Sequence, residues 1–219
     1  MEIYHKYNIK KYDFISPLQE LFKCSDLQYL HNLNSDKLSS FKPVGFDSDT
    51  FFHSIFYEKM RSGWPEFIDL YESLIRDFIA PCLNIEDKIV YQKWPTFRVH
   101  LPNDTAVGGW HCDSQYNHPP KEVNFILALT EMFESNTTIV ESSPGKKDFH
   151  QVELKPGEIF QFNGNECMHG NLPNKTGLTR VSFDFRVLRF EDYCPDYSGV
   201  SLSKKNKFLI GEYYNLCEI

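Results

Sequence analysis

The stretch "TGLTRVSFDFRV" (176–187) alternates with a period of two, the repeat of a β-strand whose faces meet different surroundings. Val181, Phe183, Phe185 and Val187 fall on one face, and Arg180, Ser182, Asp184 and Arg186 on the other. The apolar face suits packing against helices. The charged face then points into an interior, where each charge requires a partner. Just upstream, "NLPNKTG" (171–177) reads as a turn, which predicts a hairpin placing His169 across from Arg180.

Outward from this strand the chain divides near residue 86. Past it, short strands separated by Gly, Pro and Asn are expected over 88–101, 121–130, 137–141, 150–154, 157–163, 167–171 and 178–190. Before it, helical signals dominate: "SPLQELFK" (16–23), "SDLQYLHNL" (25–33), "DSDTFFHSIFYEKM" (47–60) and "WPEFIDLYESLIRDFIAP" (64–81). Helices followed by many strands predict an α+β fold whose second part is a sandwich or jelly-roll barrel. With no repeat or linker in view, residues 1–219 are expected to form a single domain. Its parts are a mainly helical 1–86, a β core over 87–190 and a C-terminal extension, 191–219, read as an irregular segment laid back over the barrel.

The bulk composition narrows the function. Hydrophobic residues make up 41% of the 219 and aromatics 16%, as in an aromatic-rich folded domain. The net charge of −7, without a basic block, disfavours a nucleic-acid partner. No run approaches a membrane span and no leader is visible, so a cytoplasmic location is expected. The six cysteines are scattered without a C-x-x-C pair, which argues against a zinc ribbon or a disulfide framework. The oligomeric state is left open.

The chemistry begins in "GWHCDSQYNHPP" (109–120). If extended, this segment sends His111 and Asp113 to the same side and Cys112 to the other. Eight histidines make an H-x-D pair easy to obtain by chance, and His100, His118 and His150 read as ordinary surface or hydrogen-bonded residues. Two imidazoles and one carboxylate on one face of an ion is the arrangement of non-haem Fe(II) oxygenases, so a third ligand is sought on a distant strand. His169, after a well-formed strand, is the candidate. Arg180 would line the same cavity as a fork for a carboxylate, with Ser182 as a second donor.

These residues resemble a known family. H-x-D, a distal His and an R-x-S eleven residues beyond it form the pattern of Fe(II)/2-oxoglutarate-dependent dioxygenases. Within them, "HCDSQYNHPPKEVNFILALT", "TIVESSPGKKDFHQVEL" and "GNECMHGNLPNKTGLTRVSFDFRV" are similar to the StrG-like subgroup associated with streptomycin biosynthesis. The likeness runs over about residues 88–190 and extends weakly into "FLIGEYY" (208–214). It implies a double-stranded β-helix (a cupin-like jelly roll) with the N-terminal helices packed on one sheet. It also implies Fe(II) held by His111, Asp113 and His169, 2-oxoglutarate held through its 5-carboxylate by Arg180 and Ser182, and O2 as co-reactant. 2-Oxoglutarate would leave as succinate and CO2. Related halogenases lack the carboxylate, so Asp113 points to hydroxylation or another oxidation.

Further residues have two readings each. Asn124 either donates to 2-oxoglutarate, orients a ligand, or is a satisfied strand amide. Arg98 and Arg186 either meet an anionic substrate or pair with acids, Asp184 being the economical partner for Arg186. Trp110 and Tyr116 either line the substrate pocket or pack. Glu141 is substrate-facing or a cap. Cys112 and Cys167 are read as packing, and "SQYNHPPK" (114–121) as a segment that gates substrate. The expected activity is oxidation, chiefly hydroxylation, of a small polar metabolite. The alternatives are a peptide or protein side-chain hydroxylase and a non-catalytic metal-binding, cupin-like sensor. An acyl-transfer enzyme is unsupported, since no G-x-S-x-G occurs.

Overall fold

The computed structural model describes residues 2–33, 50–105, 109–202 and 205–219. Its strands form two antiparallel sheets. In the larger, β1 (Ile3–Lys6), β7 (Glu158–Phe162), β4 (Val123–Ala128), β9 (Arg180–Arg189), β2 (Lys88–Gln92) and β10 (Tyr214–Glu218) lie side by side in that order, and β3 (Thr96–His100) also pairs with β9. The smaller sheet orders β6 (His150–Val152), β5 (Thr138–Val140) and β8 (His169–Asn171).

The period of two along β9 explains its central place. Val181, Phe183, Phe185 and Val187 join the main core, where Phe183 meets Phe14, Phe56 and Phe67 edge-on or tilted at 5.6–5.8 Å. Those partners come from the N-terminal part, in which α1 (Ile15–Phe22), α2 (Phe51–Ser62) and α3 (Pro65–Leu74) lie on one face of the large sheet. Thr50 starts α2 by accepting from the His53 amide, and Gly63, at φ 98°, ends it where a residue with a side chain would be strained. Residues 47–49 of the expected helix lie outside the described residues. The 64–81 helix forms as expected but widens to a π-turn over Ile75–Ile79 before Ala80–Cys82 closes it. On the other face, Ile126, Ala128, Phe160 and Phe162 meet Val140 and Val152 of the small sheet.

Three expectations need correction. The strand expected over 88–101 is broken: Tyr91 pairs with Val187 and Thr96 with Asp184, so 92–95 face only 185–186. Pro95, which has no N–H to give to a ladder, sits in this bulge. The 171–177 turn does not close a hairpin. β8 pairs with β5, and His100, not His169, lies opposite Arg180. The connection is instead tied to residues 100–105, Asn174 donating to the His100 carbonyl at 3.0 Å and to the Asp104 carbonyl at 2.9 Å, so the chain crosses between sheets. Finally, two edge strands were unforeseen: β1 pairs with β7, and β10 orders part of the extension read as irregular. With only four and five residues, each gives too short an alternation to stand out.

Burial of His53 on the inner face of α2 sets a pH dependence. The ring is 1% exposed, and desolvation pushes its pKa down to about 4 from the ordinary 6.5, against the opposing pull of the Phe97 backbone carbonyl. A depressed histidine pKa gives stability that is full above pH 6.5 and lost as pH falls towards 4. Urea unfolding should therefore show a loss of about 2 kcal/mol between pH 7 and pH 5 from this group, and His53→Gln should remove that part of the slope.

Candidate metal centre

His111, Asp113 and His169 converge. Their ligand atoms lie within 4.8 Å of one another. His111 is not in a regular strand but makes an isolated bridge to His169, each amide donating to the other's carbonyl at 3.0 and 2.9 Å. Asp113 opens a short 3-10 turn, Asp113–Tyr116, with its amide bound to the Gly164 carbonyl at 2.9 Å. The spacing of two therefore still aims both side chains at one point.

Backbone carbonyls fix the imidazole tautomers. His111 donates from Nδ1 to the Gly109 carbonyl at 2.8 Å, and His169 from Nδ1 to the Cys167 carbonyl at 3.0 Å. A carbonyl only accepts, so the proton is on Nδ1 and both Nε2 lone pairs are free for a cation. Those Nε2 atoms lie 3.6 and 3.8 Å from Asp113 Oδ1. Ligands at right angles with 2.1 Å bonds sit roughly 3 Å apart, so closing on an ion needs under about 1 Å of movement. Burial pushes the His169 pKa down to about 4, against the Asp113 charge, which keeps the ring neutral at pH 7.

The second carboxylate oxygen is already taken. Asn124 Nδ2 donates to Asp113 Oδ2 at 2.6 Å and Arg186 Nε at 2.7 Å. Only Oδ1 is left for an ion, and binding through a single oxygen keeps other positions on the metal open. Burial raises the Asp113 pKa, but Arg186 beside it, with His111, outweighs this and holds the carboxyl well below the usual range. Arg186 also donates from Nη1 to Gln92 Oε1 at 3.2 Å, which takes a further bond from the Tyr213 hydroxyl at 3.1 Å.

A second convergent group, Asp113, His118 and Glu122, is built differently. His118 Nδ1 meets Glu122 Oε2 at 2.7 Å, and the Tyr214 hydroxyl donates to the other Glu122 oxygen. Glu122 is thus satisfied on both oxygens, and the Arg186 cation lies against Asp113, so an ion there would meet occupied ligands and a like charge. The group fastens the C-terminal strand to the metal loop. His118 and Glu122, four apart in the sequence, are the buried pair that sequence reading missed.

Arg180 is the other unusual group. It is 2% exposed, and its Nη1 donates to three neutral oxygens: Asn136 O at 3.1, Thr138 Oγ1 at 3.1 and Asn171 Oδ1 at 2.9 Å. Its Nε is buried with no partner, and no carboxylate lies within 4.0 Å of it among the described residues. Burial pushes its pKa down to about 10, so it stays cationic at neutral pH. Arg180, His111, His169, Asn124 and Arg186 share one cavity of about 30 Å³ between the sheets.

No protein-family model matches the chain. It is 32% identical over 210 residues, 96% of each chain, to the streptomycin biosynthesis protein StrG of Streptomyces griseus. The chain belongs to the StrG family. Likeness within it extends over the helical N-terminal part, beyond the motif region. Among solved structures, EctD from S. alaskensis in its apoform superposes with a TM-score of 0.58 at 13% identity, covering 93% of this chain and 78% of that one. CytC3 with Fe(II) and alpha-ketoglutarate gives 0.50 at 18%, covering 93% and 82%. At these identities the likeness shows a shared fold.

The remaining expectations divide within this StrG-family chain. Arg186 pairs with Asp113 rather than Asp184, because Arg98 holds Asp184 at 2.5 Å. Both arginines are thus engaged by protein carboxylates, with Arg98 retaining a place on the small cavity's wall. Glu141 is a cap: it accepts from the Lys147 amide at 2.6 Å and the Met168 amide at 3.1 Å. Tyr116 stands edge-on to His111 at 4.7 Å. Trp110, 42% exposed, lies over Gly170 and against Phe149 at the rim rather than on the cavity wall. Ser182 is buried between Arg98 and Ala128 and does not line the cavity. The 114–121 segment is fastened rather than loose: Asn165 donates to the Pro119 carbonyl at 2.8 Å and Lys121 pairs with Asp192 at 2.6 Å. Cys112, half-buried, and Cys167, buried, are free thiols. Among the described residues no helix is long and apolar enough to cross a membrane.

Proposed function

We propose that the chain is a mononuclear non-haem Fe(II)- and 2-oxoglutarate-dependent dioxygenase that hydroxylates a small polar metabolite, built as one domain around a double-stranded β-helix. The observation that carries this reading is a pair of unsatisfied demands facing one cavity. Three ligand atoms with free lone pairs lie near a buried arginine that has no carboxylate within 4.0 Å among the described residues. A metal ion meets the first demand and the distal carboxylate of a keto-diacid meets the second. Iron, once bound, would let O2 act as the oxidant: one oxygen atom would end in succinate as 2-oxoglutarate loses CO2, and the other in the hydroxylated product.

The protein's part is to bind, orient and exclude water. His111 Nε2, Asp113 Oδ1 and His169 Nε2 would hold the ion. Asn124 and Arg186 keep Asp113 bound through one oxygen. Arg180 would take the distal carboxylate, exchanging its bonds to Thr138 and Asn171 for charge-assisted ones. The 30 Å³ cavity holds only about one or two waters, so this exchange accompanies an opening of the side chains around it. Ser182 as a second donor would require the same opening. Phe162, edge-on to His169 at 5.4 Å, keeps water from that side.

EctD and CytC3, whose structures with 2-oxoglutarate or alpha-ketoglutarate share this fold, support the reading. Buried Arg180, with no carboxylate partner among the described residues, favours it over a metal-binding sensor, which has no use for a carboxylate fork. Anaerobic addition of Fe(II) and 2-oxoglutarate should produce a weak visible charge-transfer absorption, and air should then release succinate. A protein that binds iron but gives neither signal would be a sensor.

A further inference from the structure

The metal cavity has no room for a substrate beside a keto-diacid. A larger cavity, about 760 Å³, adjoins it. Gln92 lines the larger cavity and Arg186 the smaller, and the two are hydrogen-bonded at 3.2 Å. One bonded pair of side chains therefore separates the large cavity from the group that orients Asp113. The large cavity falls within the size range of small-molecule sites. Its walls come from α2, from the bulge that interrupts the 88–101 strand, and from the segment leading into β10.

Its chemistry is mixed in a way that selects a ligand. Trp94 of the bulge and Tyr213 supply aromatic surface, and Gln92 and the Tyr213 hydroxyl lie at the end nearest the metal ligands. Arg61 and Lys93 supply two cations with no carboxylate within 4.0 Å among the described residues. Lys93 is held in place by donating to the Gly211 carbonyl at 3.3 Å. Among the described residues the one acid on the wall is Glu212, which accepts from the Lys207 amide at 3.2 Å. Two wall cations with no counter-ion among the described residues, in a chain of net charge −7, fit an incoming oxyanion.

We propose that this cavity binds the molecule the oxygenase oxidises, a small molecule bearing a phosphate or carboxylate. Arg61 and Lys93 hold the anion and Gln92 borders the end of the molecule that is oxidised. The proposal rests on the oxygenase reading, but its test requires no oxidation.

Glucose 6-phosphate, gluconate and glucose are titrated into metal-free protein, with tryptophan fluorescence, to which Trp94 contributes, and melting temperature as readouts. One or both charged probes should bind, and their ranking separates phosphate from carboxylate as the preferred anion. Glucose should not bind. Arg61→Met with Lys93→Met should weaken binding roughly tenfold or more, the loss of two charge-assisted contacts. Binding of glucose as tightly as the charged probes overturns the proposal. So does binding unchanged in the double variant, binding abolished by Arg180→Met in folded protein (which would place the probe at Arg180), or no binding of any probe. Mn(II) binding measured on the same samples separates the two ideas. Mn(II) bound without probe binding rejects the cavity alone. Probe binding with no Mn(II) site rejects the oxygenase, and with it the occupant's role as substrate.

Discussion

Asp113→Ala is expected to cost the protein both its metal and part of its stability. Metal affinity should fall by more than the roughly 100-fold that loss of an outer partner brings, because a direct ligand is removed. Stability should fall in metal-free protein too, by about 3–5 kcal/mol, since Arg186 is left buried without its carboxylate. His169→Ala separates the two effects. It removes a ligand but leaves Asp113, Asn124 and Arg186 joined, so it should match Asp113→Ala in lost metal and unfold at a clearly higher urea concentration. Equilibrium dialysis with Mn(II) and urea unfolding in chelator make the comparison. Equal destabilisation by the two substitutions would show that the Arg186 pair is not what holds this site.

Arg180→Met is expected to act on the keto-diacid and not on the metal. A buried fork contributes two charge-assisted bonds to a carboxylate, and their loss should raise the 2-oxoglutarate requirement about 100-fold or more while Mn(II) binding stays near wild type. The substitution also strips donors from Asn136, Thr138 and Asn171, so the thermal midpoint should be followed alongside. Arg180→Lys keeps the charge without the fork and should fall between. An unchanged 2-oxoglutarate requirement in folded Arg180→Met protein would remove the clamp from the account.

What the sequence revealed and what it hid follow from range. Period-two alternation along 180–187 is a local signal, and it correctly divided β9 into a helix-facing side and an interior side. The convergence of His111, Asp113 and His169 was inferred from chemistry and family likeness, and the structure brings the three together. Partner choice was not legible. Alternation puts Asp184 and Arg186 on one side, yet whether they bond each other depends on what neighbouring strands deliver. β3 brings Arg98 to Asp184, and the metal loop brings Asp113 to Arg186. The turn at 171–177 was visible, but not that Asn174 fastens it to 100–105 and sends the chain to the other sheet. Gln92 carried no signal at all; its place between two cavities comes from a bulge set by the register of β2 and β3 against β9.

The most direct test is to locate an ion. Crystals soaked anaerobically in Mn(II) and 2-oxoglutarate should show one anomalous peak bonded to His111 Nε2, Asp113 Oδ1 and His169 Nε2, with the keto-diacid running from it to Arg180. A peak at His118 and Glu122 instead, or a keto-diacid bound away from Arg180, would contradict the account.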